Sequence, residues 1–164
     1  MSHIHEKLDY VADVFVVHQD KVLLRMHDKY NMWLGVGGHI EIDENPDTAA
    51  VREVKEEVGL DVTIVPIPWQ IGNNIESGCG EKEIIPPRYM NRHSVSGTHD
   101  HISLTYFALS DTDQVVPGGH DRSDTWKWFS RHDLNDSQYD LPPKIRFYAT
   151  RALEALAHTR NQRP

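Results

Sequence analysis

Three glutamates, Glu53, Glu56 and Glu57, stand at i, i+3 and i+4 in the run "DTAAVREVKEEVGL". On a helix such positions share one face within a single turn. Repulsion among three carboxylates on one patch grows as water is excluded, so the patch is either a solvated face or a site for a cation. Solvated acidic stripes usually carry lysines one turn away to relieve that repulsion; only Lys55 is available here, and it points away from the centre of the triplet. A hard divalent ion with oxygen ligands relieves it instead, and Mg2+ or Mn2+ suits carboxylates that work beside substrate phosphates. From Gly37 to Leu60 seven carboxylates face two basic side chains. Helix spacing alone leaves both readings open.

The elements that must position these acids are legible around them. Asn45 suits a helix N-cap, Pro46 the first helical position, Asp47 the positive end of the helix dipole and Gly59 the C′ position. These signals predict a helix over 46–58, with Val51, Val54 and Val58 on a face other than that of the acids. Arg52 and Glu44 are within reach of each other to brace the preceding turn onto the helix. Upstream, "YVADVFVVHQDKVLLRMH" predicts a hairpin with strands near 10–18 and 21–27. The glycines around Trp33 and Val36 predict short strands, broken where backbone approaches something closely.

Downstream, "LDVTIVPIPW" reads as a strand weakened by Pro66 and Pro68, and the Gly-, Asn- and Pro-rich segment 72–97 as a long loop or insertion. Residues 100–109 and 125–130 read as strands. Ile145, Tyr148, Ala149, Ala152, Leu153 and Leu156 recur at helical spacing, predicting a C-terminal amphipathic helix that packs on the sheet. The chain reads as one α/β domain over 1–164, without repeats or linkers.

Composition narrows the function classes. With 164 residues, 38% hydrophobic and 26% charged, the sequence has the character of a soluble globular domain, and no apolar run approaches the roughly 20 residues that span a bilayer. The start "MSHIHEKLDY" lacks the pattern of a signal peptide, and the single cysteine, Cys79, excludes an internal disulfide framework, so a cytoplasmic setting is expected. A net charge of −8 argues against polymeric nucleic acid and anionic membranes as partners. A small phosphorylated substrate fits if divalent cations or local basic groups bring it past the acidic surface.

Gly38, five residues, Glu44, seven residues, then Arg52-Glu53-Val54-Lys55-Glu56-Glu57-Val58-Gly59-Leu60 resembles at every fixed position the signature of the Nudix hydrolases, the MutT-like family. The motif covers about a seventh of the chain, and the order of hairpin, loop, helix, strands and final helix is similar to the Nudix α/β/α sandwich with its mixed β-sheet. The resemblance implies pyrophosphatase-type hydrolysis of a nucleoside diphosphate-linked compound, by attack of water on phosphorus. It assigns the metal to Glu53, Glu56, Glu57 and the carbonyl of Gly37, with Mg2+ or Mn2+ as cofactor. Glu53 is the first choice of general base among these catalytic residues. Gly38, Glu44, Arg52 and Gly59 become supports of the motif. The substrate is nucleotide-like and the protein a monomer or a homodimer.

Outside the motif, Asp124, with Asp121 beside it, is a candidate accessory acid; an ordinary turn aspartate is the alternative. Arg25, His27, His39, Arg88 and Arg92 are candidate phosphate contacts. Trp33 and Tyr89 can stack a base or simply pack. His93, His99 and His101 can bind a softer metal such as Zn2+, touch phosphates, or merely be solvated histidines at the start of a strand. Family markers for ADP-ribose and for dinucleoside polyphosphates are missing, since Ile75 and Gly78 stand in those places. Two rivals to the hydrolase remain: a Nudix fold used as a ligand-binding or regulatory module without turnover, and a diphosphate enzyme of another reaction class.

Overall fold

Strand β1, Leu8–His18, organises the molecule because both its edges and both its faces are used. The computed structural model describes residues 7–27, 30–67, 83–116 and 125–157. Asp121, Asp124, Cys79, Ile75 and Gly78 lie outside them. The further strands are β2 (Lys21–His27), β3 (Met32–Leu34), β4 (Val36–His39), β5 (Val62–Ile64), β6 (Tyr89–Ser96), β7 (His99–Ser110) and β8 (Trp126–Ser130), and the helices are α1 (Pro46–Val58) and α2 (Pro143–Ala157).

All eight strands belong to one mixed sheet. Strand β7 runs parallel to β1 along one edge, from Leu8 opposite Asp100 to Val17 opposite Leu109. The other edge of β1 is divided: β2 pairs with it only at Val17 and His18, and β4 pairs with Val11 to Val14. The sheet therefore splits between β2 and β4. That split becomes the floor of the site.

Alternation along β1 sends successive side chains to opposite faces. Ala12, Val14 and Val16 pack with Ala49, Ala50, Val54 and Val58 of α1. Phe15 and Val17 pack with Ile145, Tyr148, Ala149, Ala152, Leu153 and Leu156 of α2. This is the α/β/α sandwich, with one helix on each face. Both helices fall where the sequence signals put them, and α2 buries the expected residues. Gly59 ends α1 in the left-handed region at φ 71°, which favours a residue without Cβ.

Some expectations are corrected. Residues 89–96, inside the stretch read as loop, form β6, which is joined to β7 by a turn at Gly97 and Thr98. Most of its side chains are solvated, so its sequence lacks the apolar alternation by which a strand is recognised. Val51 is exposed rather than buried with Val54 and Val58. Asn45 occupies the N-cap, yet its side chain makes no capping bond; Asp47 instead accepts from the N–H groups of Thr48 and Ile85 and ties the far side of the segment to the helix start.

Phe15 joins the layers. Its ring is fully buried, edge-on to Phe107 of β7 at 6.3 Å and to Tyr148 of α2 at 5.7 Å. Phe15→Ala is expected to lower stability by about 3–5 kcal/mol in urea unfolding, because both rings lose an edge-on contact and a cavity remains between sheet and helix.

Candidate functional site

The acids of α1 are gathered by one guanidinium. Arg52 donates from Nε and Nη2 to both oxygens of Glu44 (3.0 and 2.6 Å), from Nη1 to Glu53 (2.8 Å) and Glu56 (3.0 Å), and from Nη2 to the carbonyl of His39 (3.0 Å). The expected Glu44–Arg52 brace is thus present, and the same group also reaches the triplet. The fork geometry of arginine makes this possible, since its donors lie in one plane and point in several fixed directions. Arg52 holds the Glu44 carboxyl below the usual range, and Glu44 in turn holds the guanidinium proton still more firmly.

The three glutamates have different surroundings. Glu57 is buried; it accepts from the Gly37 N–H at 2.9 Å and pairs with Arg25 Nη2 at 2.6 Å. It therefore bridges β4 and β2 across the split in the sheet. Glu53 lies against Gly38, where a Cβ would come within 2.6 Å of its carboxylate and force that side chain to shift. Burial raises the Glu53 pKa; Arg52 pulls it back, while Glu56 and Glu44 push it up further. Glu56 is exposed and lies outside the cleft lining, held at the rim by Arg52.

Glu53, Glu57, Gly37 and Gly38 line a cleft of about 1030 Å3. Its opposite wall is the part of the sheet that α2 leaves uncovered, bounded by Lys144 near the start of that helix. Asp13 of β1, which motif spacing does not pick out, faces this space. Burial pushes its carboxyl up to about 6, against the attraction of Lys144 and Arg25. The sequence does carry a signal for it, an acid in the middle of the apolar run "YVADVFVV".

Of the candidate phosphate contacts, Arg25, His27 and His39 line the cleft. Arg88 and Arg92 do not. Arg88 donates to the carbonyls of Val65 and Pro66 and secures the chain after β5, and Arg92 pairs with Asp100 on the neighbouring strand. Trp33 and Tyr89 pack rather than face a ligand: Trp33 against Phe129 and Tyr139, Tyr89 against Phe107, Phe147 and Tyr148. His99, His101 and His93 also line the cleft, at its outer end.

The fold and this loop–helix geometry have known counterparts. The family model for the NUDIX domain matches residues 7–150, and the chain belongs to that family. A NUDIX-family hydrolase from Clostridium perfringens superposes with a TM-score of 0.81 at 37% identity, over 90% of this chain and 97% of that one. An Ap4A hydrolase from C. elegans shares the fold, with a TM-score of 0.64 at 16% identity over 92% and 98% of the two chains. Diphosphoinositol polyphosphate phosphohydrolase 3-alpha of Mus musculus is 49% identical over 43 residues. That match spans about a quarter, 26%, of each chain.

Two outcomes follow from the electrostatics. Arg52→Lys retains a positive charge but loses the fork, and is expected to cost about 1–3 kcal/mol in denaturant unfolding. Glu53 has a folded-state pKa above its unfolded value, so its ionisation costs stability above the folded pKa and costs nothing below the unfolded one. Glu53→Gln should therefore raise the melting temperature of metal-free protein at neutral pH, with the gain vanishing near pH ~4.

Proposed function

We propose that the protein is a divalent-metal-dependent hydrolase that breaks a phosphoanhydride bond of a nucleotide-type substrate by attack of water on phosphorus. The observation that carries this reading is the placement of Glu53 and Glu57 against the Gly37–Gly38 backbone at the floor of the cleft, with Arg52 gathering the acids from behind. An all-oxygen donor set of this kind fits Mg2+ or Mn2+, and the half-repelled, partly buried Glu53 carboxylate is the sort of group that a hard cation stabilises. Glu53, Glu56, Glu57 and the Gly37 carbonyl would hold the ion. When bound, it supplies charge neutralisation at the phosphate oxygens and acidifies the attacking water.

The chain's own groups do the rest. Glu53 Oε2 accepts the proton of the attacking water while Arg52 engages its other oxygen. Arg25 and Lys144 present positive charge to the cleft and bind the anionic substrate, offsetting the acidic character of the chain. Asp13, with its raised pKa, lines the cleft and is positioned as an accessory acid. Two of the similar proteins are named an Ap4A hydrolase and a diphosphoinositol polyphosphate phosphohydrolase, and those names support a phosphoanhydride substrate here. The cytoplasm is the proposed setting, on the strength of a single cysteine; no described helix is long and apolar enough to cross a membrane.

A panel of nucleoside triphosphates, nucleotide sugars, dinucleoside polyphosphates and inositol pyrophosphates tests the reading. At least one should be turned over with Mg2+ or Mn2+ and none after chelation, and Glu53→Gln or Glu57→Gln should lower kcat by about 10²–10⁴-fold. Tight binding of one compound without turnover would instead make the protein a ligand-binding module. Undiminished activity in Glu57→Gln would remove the assigned site.

A further inference from the structure

The histidines at the outer end of the cleft are not used by the hydrolytic reading, and their geometry is not that of scattered surface groups. Strand pairing sets Asp9 of β1 directly opposite His101 of β7, while His99 lies two residues earlier on the same face. On the other edge of β1, His39 of β4 pairs with Val11, which shares a face with Asp9. Three separate strands thus deliver four side chains to one spot. The donor atoms of Asp9, His39, His99 and His101 all lie within 4.8 Å of one another. Asp9 Oδ2 is 3.1 Å from His99 Nε2 and 3.6 Å from His39 Nε2. The His101 ring stands edge-on to both other imidazoles, with centroids 5.1 Å from His39 and 5.0 Å from His99.

We propose that Asp9, His39, His99 and His101 form a second metal site, distinct from the glutamates of α1, that takes a borderline-soft divalent ion of the Zn2+ class. Three imidazole nitrogens and one carboxylate oxygen are a donor set for Zn2+ and its neighbours in the first transition row, and a poor one for Mg2+. A tetrahedral Zn2+ with ligands at about 2.0 Å needs donors roughly 3.3 Å apart. The widest pair here closes by no more than about 1.5 Å to reach that spacing, within the rotamer freedom of partly exposed side chains. Without an ion, three imidazoles around one carboxylate keep several ring nitrogens crowded together; an ion gives them a common partner.

The site also touches the hydrolytic one through a single residue. His39 lies two positions beyond Gly37, and its carbonyl accepts from the Arg52 guanidinium that gathers the acids. An ion on the His39 ring therefore fixes the end of β4, the strand that carries Gly37 and Gly38, to β1 and β7. His93, whose ring lies 5.6 Å from that of His101, is not among the four residues whose donor atoms converge.

Calorimetric titration of the full-length, chelator-treated protein with Zn2+, in buffer containing millimolar Mg2+, tests the assignment. The expected result is one tight equivalent of Zn2+, accompanied by a rise in melting temperature that Mg2+ alone does not give. In the His99→Ala/His101→Ala double variant, and separately in His39→Gln, affinity should fall by at least about 100-fold. Metal-free melting curves of these variants report whether they fold, and Co2+ should give tetrahedral visible absorption in the parent protein but not in a folded variant. Glu57→Gln should retain the full equivalent. Zinc binding that survives the double substitution, is displaced by Mg2+, or disappears with Glu57→Gln would overturn the site.

Discussion

Four carboxylates, those of Glu44, Glu53, Glu56 and Glu57, are brought together on one loop and one helix, and they stay together because two guanidinium groups stand among them. Arg52 lies behind Glu44, Glu53 and Glu56, and Arg25 pairs with the buried Glu57 from the opposite strand. Each arginine does what a lysine could not, since several donors leave one planar group in fixed directions. The compensation is incomplete. Burial, with a smaller push from Glu56 and Glu44, still holds the Glu53 carboxyl above its ordinary range, so its charged form is disfavoured at the point where a cation would stabilise it. Such partial destabilisation is a common feature of sites that bind charge.

The sheet makes the arrangement possible. Because β2 leaves β1 after two paired residues and β4 takes its place, the backbone between them opens, and Glu57 spans the opening from Gly37 to Arg25. The same edge of β4 carries His39 toward Asp9 and the histidines of β7. The acids Glu53 and Glu57 and the imidazoles of His39, His99 and His101 thus line one cleft, joined through the short strand β4.

Much of this was legible in the sequence, for reasons that differ from place to place. The bounds of α1 follow from Pro46 and Gly59, which act locally and are little affected by tertiary context. The pairing of Glu44 with Arg52 followed from reach and from the motif. Strand β6 was not legible, because an edge strand bathed in solvent has no apolar alternation to display. Arg88 and Arg92 are misleading for a similar reason: positive charge in a loop-like segment marks a phosphate contact only if nothing nearer claims it, and the Val65 and Pro66 carbonyls and Asp100 do. Asp13 is marked locally, as an acid within an apolar run, but the union of His39 with His99 and His101 depends on β1 lying between β4 and β7, a long-range pairing that no local pattern encodes.

In the proposed reaction this site directs water onto phosphorus with the help of a divalent ion. Reaction in 18O-labelled water, with mass analysis of the products from a turned-over diphosphate compound, tests it most directly. One labelled oxygen per turnover is expected in a phosphate product, formed only when Mg2+ or Mn2+ is present. Label appearing on carbon, or label entering phosphate at the same rate in chelator, would contradict it.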